Sequence, residues 1–226
     1  MTRLLATLAL ALGIVAAAPV QLDSQIVLER YELEMTDLAT PKATIVSYTV
    51  SQAGPTDIET HHRMYRAGLD VRDETISIDG SLLKHKVVRF SRHEDRYTSA
   101  RLAPRGTNYG FVFLRAIKRG GHLDYEYEAT PLVVSPGGFT VKRVTIDGER
   151  FLPRSIAFTT ASGSAQGTGE IDFAPSGKYW VPVQINVDAQ VKGKPARERI
   201  SWSDYRFPPG LPPSTFQAPK PLPQAT

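Results

Sequence analysis

The chain has 226 residues, 41% of them hydrophobic and 22% charged, with 27 basic and 23 acidic side chains and no cysteine. Without cysteine there is no disulfide framework, no thiolate metal site and no cysteine nucleophile. The formal net charge of +4 is of mixed sign along the chain and comes with no recognition motif, which argues against nucleic acid as a partner.

The first residues read as an export signal. Arg3 supplies the positive start, Leu4 to Val15 the apolar run, and Ala16, Ala17 and Ala18 the small residues of a cleavage site. The apolar run falls short of the ~20 residues a membrane span needs. Cleavage after Ala17 leaves a mature chain of about 200 residues, enough to bury ~70% of its unfolded surface in a core. With no cysteine to carry a lipid, the mature protein is expected to be soluble and exported. Its boundaries are expected at 1–17 for the signal, 18–217 for one domain and 218–226 for a Pro-rich disordered tail.

Residues 21–38 predict a helix, with Leu22, Ile26 and Leu33 on one face and Val27, Tyr31 and Leu38 alongside, ending before Thr40-Pro41. Alternation of period two then takes over. Strands are predicted at 44–51 (Val46, Tyr48 and Val50 on one face), 58–67, 70–78, 82–90 and 96–102. Asp79-Gly80 between two of these is a strong hairpin signal, and Asp147-Gly148 repeats it. Phe111, Leu114 and Ile117, spaced by three and closed by Gly120-Gly121, predict a short helix over 109–119. Strands resume at 123–131, 139–147, 151–160, 168–173, 179–191 and 198–207. Val181 to Val191 alternates without a break, dry on one face and wet on the other, as in an antiparallel sheet with one covered face.

In the last strand the apolar set moves from Ile200 and Trp202 to Tyr205 and Phe207. That changes parity, so a bulge or kink is predicted near Ser203-Asp204. Proline follows at 208, 209, 212 and 213, yet Leu211 and Phe216 are apolar anchors, so 208–216 is expected to stay attached. The pattern as a whole defines an α+β domain. It has a strongly curved antiparallel sheet with an N-terminal helix and a short mid-chain helix on its concave face.

Catalytic motifs are missing: no HExxH, P-loop or GxSxG occurs. The run Gly163 to Gly169 lacks the lysine of a phosphate loop and reads as a hairpin loop. His61 and His62 point to opposite faces of a strand, so a metal site would need one of them with His85 or His93 from a neighbouring strand. Asp70, Asp73 and Glu74 form no paired acid–base site, since Asp70 and Asp73 lie on opposite faces. A hydrolase would have to draw on His61, His85, Asp73 and Glu74. No metal or cofactor is expected. The basic middle of the chain (Arg63, Arg66, Lys84, Lys86, Arg89, Arg92, Arg96, Arg101, Arg105) favours anionic partners, although solvated strand faces account for it more simply.

What remains is the apolar face of the curved sheet. Either helices fill the curve completely, which periodicity alone favours, or a ligand shares it.

Three stretches carry a resemblance. RMYRAGLDVRDETISIDG (63–80), GKYWVPVQINV (177–187) and ISWSDYRFPPGLPPSTF (200–216) are similar to the LolA/LolB-like lipoprotein-carrier superfamily, which includes outer-membrane lipoprotein-sorting proteins and RseB-type sensor domains. The resemblance of layout spans the mature chain. It implies a half-open β-barrel with helices over its mouth, a periplasmic location and no cofactor. The partners it implies are a lipid or lipoprotein acyl chain and membrane-associated donor and acceptor proteins. A monomer is expected. On this reading the cavity is lined by Val46, Tyr48, Met64, Phe111, Leu114, Tyr125, Tyr127, Ile156, Phe158, Val183, Ile185 and Trp202. A lid-holding arginine would be Arg63, Arg66, Arg72 or Arg89, with no motif to choose among them. The competing reading is an envelope interaction module with a filled core, binding a protein through a strand edge or the proline segment.

Overall fold

A computed structural model describes residues 20–54, 57–133, 138–163 and 165–218. The signal segment 1–17 and nearly all of the tail 218–226 lie outside the described residues.

The helix α1 (Ser24–Thr36) begins at Asp23, whose carboxylate accepts from the Gln25 N–H at 2.8 Å. It buries Val27, Tyr31 and Met35, one residue per turn. The expected facing is rotated: Ile26 and Leu33 are 45% and 61% exposed. Leu22 and Leu38 still pack at the margin of the core.

Eleven strands follow: β1 (Ala43–Ala53), β2 (Ile58–Ala67), β3 (Asp70–Ile78), β4 (Ser81–Arg92), β5 (Tyr109–Arg119), β6 (His122–Pro131), β7 (Thr140–Ile146), β8 (Pro153–Ser162), β9 (Ala165–Ser176), β10 (Tyr179–Val191) and β11 (Lys194–Arg206). They form one sheet in the order β4-β3-β2-β1-β11-β10-β9-β8-β7-β6-β5, with every described ladder antiparallel. The sheet is not closed, so the architecture is the half-open barrel expected. Asp79 (φ 47°) and Gly80 (φ 75°) make the β3–β4 turn with both φ positive, as the Asp-Gly signal requires.

Two elements differ from the sequence reading. Residues 109–119 are β5, not a helix. The short mid-chain helix, α2, is Ser99–Leu102, inside the predicted strand 96–102. A register shift between Phe113 and Arg115 explains the first error. Phe111 and Phe113 pack inward, and after the bulge Ala116 does so. A strand whose parity flips in mid-course imitates helical spacing.

The order has a topological consequence. β4 and β5 are consecutive in sequence but occupy opposite edges of the sheet. Residues 93–108 therefore cross the open side as a strap, with α2 in its middle.

The core lies between α1 and the β5–β9 half. Tyr31, Tyr127, Val144, Ile146, Ile156 and Ile171 have no solvent exposure. The Tyr127 hydroxyl donates to the Ser24 carbonyl at 2.7 Å, and the Tyr125 hydroxyl accepts from the Leu22 N–H at 2.9 Å. Gly169 lies under Phe158: an added Cβ would stand 2.5 Å from its ring and 2.8 Å from the Asn186 carbonyl. Gly169→Ala is expected to cost about 1–3 kcal/mol through overpacking, measured as a lower urea midpoint with an unchanged denaturant slope.

Candidate functional site

A cavity of about 480 Å³ occupies the other half of the concave face. Its floor is β1, β2, β11 and β10, through Val46, Tyr48, Val50, Met64, Ile200, Trp202, Val181 and Pro182. Its roof is the segment 38–41 that follows α1, and the strap from His93 to Ala100. A larger hollow of about 740 Å³ lies at the ends of the β1, β8, β9, β10 and β11 hairpins, lined mainly by Gly, Ala and Thr, with Asp188 and Arg197 paired to each other.

The twelve residues expected to line one cavity divide between two environments. Val46, Tyr48, Met64 and Trp202 line it. Phe111, Tyr125, Tyr127, Ile156, Phe158 and Ile185 instead belong to the packed core. Leu114 sits at the β5 bulge, 46% exposed. Val183 is the residue skipped at a second bulge, between Pro182 and Gln184. That bulge also breaks the unbroken alternation expected over 181–191: Pro182 stands opposite core Phe173 and Ile185 opposite core Ile171, so the inward set changes from even to odd positions across Val183.

The predicted kink at Ser203-Asp204 is present. Opposite Ile45 and Ser47, β11 carries an extra residue between Ser203 and Arg206, and Asp204 has φ 54°. The parity change places Trp202 and Tyr205 together on the cavity wall. The Tyr205 hydroxyl donates to the Pro182 carbonyl at 2.7 Å, so the bulges of β10 and β11 brace each other. Burial pushes the Tyr205 phenol well above the usual range, which keeps it a neutral donor. Beyond β11, Phe207 packs on Tyr179, and Pro213–Phe216 forms a 3-10 turn against β3, with Arg72 donating to the Thr215 carbonyl at 3.4 Å.

Three polar groups that the sequence named in separate roles, Tyr48, Asp73 and His62, are brought together at the cavity floor. The Tyr48 hydroxyl donates to Asp73 Oδ2 at 2.6 Å, and Tyr48 stacks on His62 at 4.6 Å. Burial first, then the Asp73 hydrogen bond, drives the Tyr48 phenol far upward. Asp73 Oδ1 faces His62 Nδ1 at 3.3 Å. This unit joins β1, β2 and β3 across the floor.

Of the four candidate arginines, Arg66 holds the strap. Its Nη1 donates to the His93 carbonyl at 2.7 Å, and its Nε lies 3.6 Å from Asp95 Oδ2. Tyr97 of the strap rests against Trp202 at 5.3 Å. The far half of the strap is tied to α1. The Tyr31 hydroxyl donates to the Pro104 carbonyl at 2.7 Å, and Arg105 donates to the Glu32 carboxylate, the Glu32 carbonyl and the Thr36 hydroxyl.

The remaining titratable groups form no catalytic constellation among the described residues. His61 pairs with Thr49 and Glu59 on the outer face, away from His62. Buried Glu74 is neutralised by Arg72 at 2.5 Å and Lys86 at 3.0 Å. His122, Asp124 and Asp147 converge closely enough to suggest a cation site. The protein's own cations take the place of an ion there: Arg154 contacts both carboxylates, and Arg119 reaches Asp124 at 2.8 Å.

Fold and site together define an open antiparallel half-barrel with one half of its concave face filled and the other half hollow beneath a strap. No protein-family profile matches the chain, and no curated protein matches it in sequence. Similar solved structures exist. One is a LolA superfamily protein from Nitrosomonas europaea, 15% identical, covering 88% of this chain and 99% of its own, with a TM-score of 0.44. A second, from Vibrio parahaemolyticus, is described as an outer membrane lipoprotein-sorting protein domain: 15% identity, coverage 86% and 97%, TM-score 0.47. A third is a DUF1329 family protein from Desulfovibrio piger: 12% identity, coverage 89% and 98%, TM-score 0.48.

Arg105→Met removes the three Arg105 bonds between strap and α1 and leaves the Tyr31–Pro104 and Gly106–Glu32 bonds in place. It is expected to lower stability by about 1–3 kcal/mol in urea, and to raise amide exchange at 103–108 before the sheet opens.

Proposed function

We propose that the protein is an exported, periplasmic binding protein that holds a lipid or a lipoprotein acyl chain without catalysing any reaction on it, as carrier or sensor. The observation that carries this reading is the cavity of about 480 Å³, whose floor is apolar and whose roof is a strap. A site of this kind, concave and mostly apolar with a few placed polar groups, is the usual form of a small-molecule site. Each methylene taken from water into it contributes about 0.8 kcal/mol. The strap sets the other side of the balance. Entry of a chain means moving the Arg66–His93 contact and the Tyr97–Trp202 contact, and this cost keeps binding reversible. The signal segment, a monomeric state and membrane-associated donor and acceptor proteins belong to the same proposal. Among the described residues no helix is long and apolar enough to cross a membrane.

The competing interaction-module reading has less support. The proline segment is engaged by β3 through Arg72. The edge strands β4 and β5 carry Lys84, Lys86, Arg89, Arg115 and Lys118, and such charges discourage strand addition.

Both tryptophans of the chain, Trp180 and Trp202, line the cavity. A bromine-labelled fatty acid is therefore expected to quench nearly all tryptophan emission at saturation, with unlabelled acid of equal length reversing it. Met64→Trp, which fills the floor, is expected to weaken binding about tenfold or more. Emission unmoved by any brominated chain would refute the reading.

A further inference from the structure

Arg66 is more deeply buried than holding the strap requires. Its side chain is 10% exposed, and it lies in the cavity wall on β2. A guanidinium offers five N–H donors. One goes to the His93 carbonyl at 2.7 Å, whereas Nε has no hydrogen-bond partner. Asp95 Oδ2 stands 3.6 Å away, beyond hydrogen-bonding distance, and its side chain is 33% exposed and shared with water. The strand neighbours opposite Arg66, Thr44 and Val71, bring no charge. Asp73 lies two pairs further along β3, opposite Met64, and its Oδ2 is already taken by Tyr48. Burial lowers the guanidinium's hold on its proton, and Asp95 restores that only in part. A cation buried with so little compensation is costly to the protein. On the strap, Ser99 Oγ is a second polar group of the same cavity that is buried without a partner.

Beside Arg66 the wall has an apolar stretch through Val46, Met64, Ile200 and Trp202, while Asp73, Asp95, Arg96 and Glu198 also reach the lining. We infer that the ligand is an anionic amphiphile, whose apolar chain lies along this wall and whose terminal carboxylate or phosphate oxygen accepts from Arg66. The inference rests on the cavity reading above and narrows its ligand class. A charge-assisted bond to a buried guanidinium is stronger than one between neutral groups, so the head contributes selectivity as well as affinity.

The test uses the mature chain, a neutral fluorescent probe such as N-phenyl-1-naphthylamine, and four competitors with the same twelve-carbon chain: dodecanoate, dodecyl phosphate, dodecanol and dodecyltrimethylammonium. The anions are expected to displace the probe at concentrations about tenfold below dodecanol, with the ammonium weakest. Comparing dodecanoate with dodecyl phosphate separates a fatty-acid head from a phospholipid head. Arg66→Met frees the strap and so shifts all four competitors together, but it is expected to erase the ratio between the anions and dodecanol, and Arg66→Lys to keep part of that ratio. A role confined to strap packing would change all four competitors alike. Equal displacement by dodecanol and the anions, or a preference that survives in Arg66→Met, overturns the inference and leaves the cavity reading standing. Failure of all four competitors overturns both. Thermal melting of each variant controls for folding, and if Arg66→Met does not fold, the wild-type ranking and Arg66→Lys decide.

Discussion

One helix cannot cover this sheet. α1 has 13 residues, so it is about 20 Å long, while eleven strands spaced by ~4.8 Å span about 50 Å before curvature. The concave face is apolar along most of its width, and apolar surface left facing water is unfavourable. α1 settles over β5 to β9 and fills that half with Tyr31, Tyr125, Tyr127 and Phe158. The half over β1, β2, β10 and β11 receives no helix of comparable size. It receives a strap, which the strand order obliges to cross the open side, and beneath that strap the packing is incomplete.

The two halves are built differently. Under α1, long-range hydrogen bonds from tyrosine hydroxyls satisfy buried backbone groups, and aromatic rings meet edge to face, as Phe111 and Phe113 do on Tyr127. Under the strap, contacts are fewer and mixed: an arginine on a carbonyl, a tyrosine on a tryptophan, and a Tyr48–Asp73–His62 unit in the floor. Regions that open to admit ligands come from the less stable part of a structure. The strap meets that description at 93–98 and departs from it at 103–106, where Arg105 and Tyr31 fasten it to α1.

Much of the fold was legible in the residues. Alternation located the strands, the Asp79-Gly80 turn announced its hairpin, and the aromatic parity change at 203–204 announced a bulge. Two of the errors share one physical cause, the other bulges. At Phe113/Arg115 a bulge made β5 look helical. At Val183 the skipped residue is itself apolar, so the alternation looks perfect although the faces exchange. Parity is visible only where the residues on the two faces differ. The site was half legible for a related reason. Inward-facing residues could be read from each strand, but which of them α1 would cover depends on the pairing of β1 with β11, a contact between the ends of the chain that leaves no local trace. Arg66 was one of four equal candidates until the strap's path gave it a carbonyl to hold.

The central claim is that the hollow half, and not the filled half, receives an acyl chain. The most direct measurement is a methyl-labelled NMR spectrum of the protein with a protonated fatty acid, read for through-space contacts between chain methylenes and protein methyl groups. Contacts at Met64, Val46 and Ile200, with none at Ile156, Val144 or Val27, are the predicted result. Contacts at Ile156 and Val144, or none at any methyl with the acid in excess, would contradict it.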